Sequence, residues 1–389
     1  MIVGASVLQL PGIIRAKELG LRVAVVDYNP KAIGIKYADD YYEASTMDED
    51  AVLQAALDFN PDAIMTLATD MPMRGVAKVC DKLHLHGIHY ETAIKATDKY
   101  EMIKAFKEYN VPSPWFFVAN SLKDIIALEG KLSFPCIIKP TDNAGSHGVA
   151  KVDSFQELLK VYNYSHSFSR GGNVIIEEYL DGPEVSVEII YYEGTANILQ
   201  ITDKLTTGAP FFVEMGHSQP SSLDSLTIKL VRETAINACD AIGIENGPAH
   251  VEMKITNRGP VMVELGARMG GDNISTHLVP LSTGIDMVEA TIQLALGNPP
   301  EVSPHFNKGS AIRYFTAPEG TISSIQNIKE ACRIPGVKQI TMTKEIGDRS
   351  SSIRCSNDRI GFVIAQAESV EKAVDICEKA LKTVEINVV

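Results

Sequence analysis

Two acidic residues, Glu252 and Glu264, lie twelve positions apart with a spacing that predicts chemistry. Each stands in a strand-like run, and the segment 257–259, Asn-Arg-Gly, lies between the runs. A hairpin closed by this three-residue loop pairs Thr256 with Pro260 and therefore places Glu252 opposite Glu264. Two carboxylates directly across a strand pair repel each other unless a positive charge lies between them. The spacing favours a Mg²⁺ or Mn²⁺ site completed by water and substrate phosphates, and a solvated hairpin in another register is the alternative.

A second segment has the composition of an anion-binding loop. Lys139 stands near the end of a strand-like run at 134–140, and residues 141–148 are mostly small or polar. Small residues let backbone N–H groups approach an anion closely, and a lysine adds a positive charge. The loop leads into another strand-like run and lacks Gly-Lys-Ser/Thr, so it is not a Walker A motif. These residues alone leave a phosphate-binding loop and a polar hairpin turn equally open.

A third segment, 174–188, is an apolar strand that breaks at a turn and resumes with alternating polarity. The end of such a strand can offer backbone groups to an adenine edge, and Glu184 can accept hydrogen bonds from ribose hydroxyls. Taken singly, strands of this kind are usually only part of a sheet. The order along the chain favours a nucleotide site, because a lysine-bearing strand, a glycine loop, an acidic strand end and two opposed carboxylates are followed by Arg268.

In this order of motifs the chain resembles the ATP-grasp superfamily of carboxylate–amine ligases over essentially its whole length. The resemblance implies the following roles: phosphate binding by Lys99 and Lys139, a glycine loop at Ser146, His147 and Gly148, adenine binding by Glu177, Glu178, Tyr179 and Leu180, ribose binding by Glu184, metal binding by Glu252 and Glu264, and contact of Arg268 with the transferring phosphoryl group. Many members have an asparagine metal ligand where this chain has Gly266. A second metal ion is therefore left open, with water or Asn273 as its ligand.

Three further polar residues are candidate catalytic or substrate-binding groups. His250 shares a strand face with Glu252, which favours a role near the amine substrate, although a lone strand histidine is more often structural. Lys204 and His217 lie in the segment 203–220, which is rich in small residues. We expect this segment to be a long loop that closes over the site, with Lys204 near phosphate or substrate; an ordinary surface loop is the alternative.

The succession of strands and helices predicts a protein of α/β and α+β class with three units. Residues 1–95 alternate strand and helix, as a doubly wound parallel sheet does. The resemblance implies an ATP-grasp domain at 96–305, with a central lid at about 112–182, and a small C-terminal α+β subdomain at 306–389. Asp27 ends a strand, but the first strand is not followed by G-x-G-x-x-G, so we interpret Asp27 as scaffold or a substrate-side residue.

The composition is that of a soluble enzyme. The formal net charge of -13 disfavours nucleic acid or an anionic membrane as a partner. No apolar run reaches the ~18 residues of a membrane span, and the start of the chain lacks the charged region of a signal peptide. The cysteines show no metal-binding spacing and are expected to be reduced core residues. We therefore expect a cytoplasmic protein that acts on small molecules, and a homodimer is left open.

These residues favour activation of a carboxylate by ATP and capture of the acyl phosphate by an amine, with release of ADP and phosphate. ATP and Mg²⁺, or Mn²⁺, are the implied cofactors. Within the superfamily the chain is most similar to L-amino-acid ligases that make dipeptides and to carbamoyl-phosphate-synthetase-like single-chain enzymes. Purine-biosynthesis enzymes such as glycinamide ribonucleotide synthetase come next. An ATP-binding regulatory protein without turnover is the alternative from another class, and the sequence does not name the acid, the amine or the pathway.

Overall fold

The chain folds into four sheets with helices packed around them in the computed structural model, which describes residues 1–143, 145 and 147–389. The strands are β1 (Ile2–Val3), β2 (Ala24–Asp27), β3 (Asp40–Glu43), β4 (Phe116–Ala119), β5 (Cys136–Pro140), β6 (Ala150–Val152), β7 (Val174–Glu178), β8 (Glu184–Tyr192), β9 (Thr195–Thr206), β10 (Glu214–Gln219), β11 (Gly247–Thr256), β12 (Gly259–Gly266), β13 (Gly309–Phe315), β14 (Gly320–Gln326), β15 (Val337–Met342), β16 (Arg349–Ser350), β17 (Gly361–Ala367) and β18 (Glu385–Val388). The α-helices are α1 (Leu10–Glu18), α2 (Glu49–Phe59), α3 (Met73–Leu83), α4 (Tyr90–Thr97), α5 (Lys99–Glu108), α6 (Leu122–Ile126), α7 (Phe155–Ser167), α8 (Ser225–Ile242), α9 (Val279–Thr283), α10 (Met287–Ala295), α11 (Ile328–Cys332) and α12 (Val370–Thr383).

The first sheet is parallel and runs in the order β1-β2-β3. Its two faces belong to two different hydrophobic clusters, because Ile2 and Val25 pack on one side and Val3 and Val26 on the other. Burial of both faces is the arrangement expected of a doubly wound sheet. Met65 adds a single parallel bridge to Ile2 at the edge of this sheet.

The second sheet is antiparallel and runs in the order β4-β7-β5-β6. The preceding helix, α5, begins as the capping pattern predicts, because the carboxylate of Asp98 accepts hydrogen bonds from the N–H groups of Tyr100 and Glu101. The same helix brings Lys99 toward the end of β5, since Lys99 N–H donates to the carbonyl of Thr141.

The third sheet is antiparallel and has the order β12-β11-β8-β9-β10-β13-β17-β15. Its last three strands come from the C-terminal part of the chain, so hydrogen bonds between β10 and β13 continue the sheet across residue 305. The helix α12 packs against β13 and β17, and Ala373 and Cys377 are fully buried there. The fourth sheet, β16-β14-β18, lies at the C-terminal end. The division of the chain at residues 95 and 305 stays a prediction.

The segment 203–220, which we expected to be a long loop, is mostly strand. Lys204 on β9 pairs with His217 on β10, and only residues 207–213 connect the two strands. The small residues have a different cause: a Cβ on Gly216 would lie 2.7 Å from the side chain of Arg313. The expectation of a long lid at this place is therefore wrong, because small residues here allow close packing within a sheet.

The β11–β12 hairpin pairs Glu252 with Glu264, as the spacing predicts. Its turn differs from the expected one, since Thr256 pairs with Gly259 rather than Pro260. An irregularity in the ladder between Glu252 and Met253 restores the register of the acidic pair. Gly259 has a φ of 92°, a conformation that glycine adopts without strain.

Among the described residues, no helix has the length and apolar character needed to cross a bilayer.

Candidate active site

A cavity of about 1150 Å³, counting its open mouth, lies between the second sheet and the β11–β12 hairpin. Residues singled out in the sequence make up much of its lining: Lys99, Lys139, His147, Glu177, Glu178, Tyr179, Leu180, Glu184, His250, Glu252, Glu264 and Arg268. Gly148 and Lys204 are not among the described lining residues, and Ser146 lies outside the part of the chain that the structure describes. Segments far apart in the sequence thus meet around one volume.

The two opposed carboxylates each have a lysine partner. Lys99 Nζ lies 2.8 Å from Glu264 Oε1, and Lys204 Nζ lies 2.8 Å from Glu252 Oε1. Lys99 also donates to the carbonyl of Asn143, at 2.7 Å. These positive charges offset the repulsion that the register would otherwise produce. Within the described ranges, no protein donor hydrogen-bonds the Oε2 atom of either glutamate.

The second oxygen of each carboxylate suits a divalent cation. The described residues contain no group of three or more His, Cys, Asp or Glu side chains that could hold a metal alone. Mg²⁺ in nucleotide sites is commonly held by one or two carboxylates, with waters and phosphates completing the shell. Glu252 and Glu264 therefore fit a cation that arrives together with a nucleotide.

Lys204 is buried next to the lining residues Glu184 and Glu252, with its side chain only 2% exposed. Its Nζ atom is 2.7 Å from Glu184 and 3.6 Å from Glu214, in addition to the contact with Glu252. Burial alone would lower the pKa of Lys204, but the charges of these three carboxylates raise it well above its usual range. The lysine thus neutralises a buried acidic cluster, and a direct catalytic role for it stays a prediction.

His250 is held between two carboxylates. Its Nδ1 atom is 2.5 Å from Glu188 Oε1, and its Nε2 atom is 3.0 Å from Glu252 Oε1. Burial lowers the pKa of His250, but the charge and hydrogen bond of Glu188, together with Glu252, raise it to about 9. Near neutral pH both ring nitrogens therefore carry protons and donate to carboxylates. This geometry makes His250 an orienting partner of Glu252, and its predicted role near the amine stays untested.

Glu188 is a site residue that the sequence analysis missed. It is fully buried and also accepts hydrogen bonds from Gly270 N–H, at 3.1 Å, and Ser275 Oγ, at 3.0 Å. A Cβ on Gly270 would lie 2.8 Å from both Glu188 and His250, so glycine is required for space. The only signal in the sequence was the alternation of Glu184, Ser186 and Glu188 on one strand face.

Lys139 is buried at the cavity wall, as expected. Its Nζ atom lies 2.5 Å from Glu177 Oε1 across the β5–β7 pair. Burial lowers the pKa of Lys139, and the charges of Glu177 and Glu264 raise it above its usual value. Glu177, assigned by resemblance to the adenine edge, thus has a lysine as its direct partner.

Replacing Lys139 with alanine is expected to weaken ATP binding and slow turnover. The change removes a desolvated, charge-assisted contact worth roughly 1.5 to 3 kcal/mol and leaves Glu177 buried without its cation. Calorimetric titration with ATP and Mg²⁺ measures the effect, with the exposed Lys131→Ala as a matched control in the same unit. Normal ATP affinity and rate in Lys139→Ala would show that the lysine serves only the sheet.

Further lining residues come from elements whose pairing the sequence did not reveal. The rings of Tyr179 and Phe212 lie 6.3 Å apart on one side of the cavity. Glu214 lines it as well, and burial raises the pKa of Glu214 while Lys204 opposes that shift. Lys254 contacts Glu184 at 3.2 Å. The sequence analysis did not predict the place of Glu214, because it interpreted 203–220 as a loop. The pairing of β10 with β9 brings Glu214 to this site.

Comparison with known proteins agrees with the fold. A model described as an ATP-grasp domain matches residues 132–277, which include the lysine strand, the loop and both acidic strands. The chain therefore contains an ATP-grasp domain at residues 132–277. A second model, described as L-amino acid ligase C-terminal domain 2, matches residues 313–389, so the C-terminal part is of the type found in L-amino acid ligases.

The relatives include ligases and synthetases. The chain is 28% identical over 305 residues to alanine–anticapsin ligase of Bacillus subtilis (strain 168), an alignment that covers 70% of this chain and 64% of that protein. It is similar to the crystal structure of an L-amino acid ligase from Bacillus licheniformis, with a TM-score of 0.86, 23% identity and coverage of 100% and 98% of the two chains. Phosphoribosylglycinamide synthetase from Anaerococcus prevotii gives a TM-score of 0.80 at 26% identity, with the same coverage. The chain spans less than two thirds of the length of the curated Bacillus subtilis ligase.

Proposed function

We propose that this protein is an ATP-dependent carboxylate–amine ligase that joins an α-amino acid to the amine of a second small molecule. The observation that carries the proposal is the facing pair Glu252 and Glu264, whose second oxygens share one cavity with Lys99, Lys139 and Arg268. The lysines and the arginine suit phosphate oxygens, and the two carboxylates suit a cation. The C-terminal match to L-amino acid ligases supports an amino acid as the carboxylate substrate.

The chemistry needs no covalent nucleophile from the protein. An oxygen of the substrate carboxylate attacks the γ-phosphorus of ATP, and ADP leaves. The amine then attacks the acyl carbon, and phosphate leaves as the amide forms. A bound Mg²⁺ or Mn²⁺ would supply charge neutralisation at the phosphates, and Glu252 and Glu264 would hold it.

The side chains of the protein position the reacting groups and neutralise their charges. Lys99 and Lys139 are the ammonium groups available to phosphate oxygens, and Arg268 offers planar donors to the transferring group. His250 and Lys204 hold Glu252 from two sides, so its free oxygen keeps one direction. Preorganised charges of this kind are effective because they need little rearrangement during the reaction.

Trapping of the acyl phosphate tests the proposal. The protein is incubated with ATP, Mg²⁺ and hydroxylamine, together with each member of an amino-acid panel. We expect a hydroxamate and ADP with at least one acid, and an amide when a second amino acid replaces hydroxylamine. Formation of AMP and pyrophosphate would contradict an acyl phosphate, and ATP binding without any turnover across the panel would favour a regulatory protein.

A purine-type ligase is the second candidate, favoured by the likeness to phosphoribosylglycinamide synthetase over the whole chain. ADP release that depends on a ribosylamine or on bicarbonate, and not on amino-acid pairs, would replace the amino-acid substrate by this alternative.

The proposal includes small-molecule partners and a cytoplasmic location. The net charge of -13 supports small-molecule partners, because a surface of this sign repels nucleic acid and anionic lipid.

A further inference from the structure

Arg268 reaches the cavity with part of its guanidinium already bound by a residue from the N-terminal part of the chain. Its Nε atom is 3.0 Å from Asp70 Oδ1, and its Nη2 atom is 2.9 Å from Asp70 Oδ2, across a separation of 198 residues. Both side chains are 14% exposed. A side-on pair with two parallel hydrogen bonds fixes the plane of a guanidinium more firmly than one contact does.

The remaining donors of Arg268 can be counted. A guanidinium has five N–H groups, of which two go to Asp70 and one, on Nη1, goes to the carbonyl of Met269 at 3.2 Å. Within the described residues no partner occupies the other two, one on Nη1 and one on Nη2. Because Arg268 lines the same cavity as Glu252 and Glu264, two coplanar donors remain for oxygens of a bound group.

Gly266 makes this arrangement possible. Its φ lies outside the left-handed range, so glycine is not required there by the backbone. A Cβ on Gly266 would lie 2.7 Å from Asp70 Oδ1 and 3.0 Å from Nε of Arg268. A side chain at position 266 would therefore collide with the carboxylate that holds the arginine.

Asp70 is itself well anchored. Its carbonyl accepts a hydrogen bond from Met73 N–H, at 3.0 Å, where α3 begins. The nearby bridge between Met65 and Ile2 ties the same connection to the parallel sheet. Asp70 thus lies in the connection between this bridge and α3, whereas Arg268 follows β12 of the third sheet.

We propose that Asp70 is a positioning residue for phosphoryl transfer, which holds Arg268 so that its two free N–H groups face the transferring phosphoryl group, in the space that Gly266 leaves open. This inference rests on the proposed function. It explains why the chain departs from the asparagine-containing pattern at position 266: Asp70 fills that place, and its role is to orient Arg268. Burial would lower the pKa of Arg268, but the charge of Asp70 raises it above its usual value, so the guanidinium stays charged.

The test uses a probe that does not depend on the unidentified acid and amine. Binding of MgADP is measured by calorimetry without and with aluminium fluoride, which imitates the transferring phosphoryl group. In the wild-type protein we expect aluminium fluoride to tighten MgADP binding. In Asp70→Asn that gain should fall by at least about tenfold while the affinity for MgADP alone stays within about twofold, because only the oriented donors are lost.

Gly266→Ala provides a second, independent variant. In the wild-type background it should reduce the tightening of MgADP binding by aluminium fluoride by at least about tenfold. In Asp70→Ala, where the carboxylate is already gone, the same substitution should reduce it by less than about threefold. The exposed Asp62→Asn, in the same unit, is the control and should behave as wild type. Unaltered binding of MgADP alone shows that each variant is folded.

The outcomes separate the two proposals. A full gain from aluminium fluoride in both Asp70→Asn and Gly266→Ala would overturn the positioning role and leave the proposed function intact. Equal losses for MgADP with and without aluminium fluoride would also overturn it, because they indicate a purely structural pair. No gain in the wild-type protein would count against phosphoryl transfer itself.

Discussion

Replacing Glu264 with glutamine is expected to lower ATP turnover on the order of 100-fold or more, since a lost metal ligand costs at least as much as a lost partner of a ligand. The amide keeps the shape of the side chain but removes one of the two facing charges. It also leaves Lys99, 2.8 Å away, without its carboxylate. Initial rates of ADP release over a range of Mg²⁺ concentrations measure the effect, and part of the loss should be recovered at high Mg²⁺.

A matched control and a chelator complete this experiment. Glu245→Gln changes an exposed glutamate outside the cavity and should keep the wild-type rate. Excess chelator should abolish turnover in the wild-type protein. Full turnover by Glu264→Gln, or undiminished rates in chelator, would rule out a cation held by the hairpin.

Replacing Lys204 with methionine is expected to destabilise the protein by about 3 to 5 kcal/mol, the range for breaking a buried ion pair by removal of one partner. Three carboxylates surround its Nζ atom within 3.6 Å, and the variant leaves Glu184, Glu214 and Glu252 without that cation. The free energy of unfolding in urea, measured at neutral pH, gives the effect.

The charge origin of this effect can be separated from packing. Glu184→Gln in the Lys204→Met background should recover part of the stability, because one of the three mutually repelling carboxylates is removed. Lys229→Met, at a side chain that is 72% exposed, is the control and should change stability by less than about 0.5 kcal/mol. A loss below about 1 kcal/mol in Lys204→Met would contradict the role assigned to this cluster.

Local patterns in the sequence were enough to predict several parts of the fold and of the site. The spacing of Glu252 and Glu264 predicted their pairing, although the turn is one residue shorter than expected and a bulge next to Glu252 restores the register. The N-cap at Asp98 is local in the same sense, because it accepts hydrogen bonds from Tyr100 and Glu101, two and three positions further along the chain. Likewise, the apolar run around Lys139 predicted its place near the end of a strand, which is β5.

Contacts between distant segments were decided only by the tertiary structure. Asp70 meets Arg268 across 198 residues, and His250 meets Glu188 across 62. The prediction at 203–220 was wrong because small residues are common both in loops and in closely packed strands. Here a small residue is needed in a strand, since Gly216 lies against the side chain of Arg313.

The sequence by itself therefore determined many of the elements and the acidic hairpin, which depend on neighbours along the chain. The tertiary structure decided which charge each functional group faces: Lys204 for Glu252, Lys99 for Glu264 and Asp70 for Arg268. The physical reason is that a strand or a cap is stabilised by residues a few positions away, whereas a buried charge must find its counter-ion wherever the packed sheets bring one within reach.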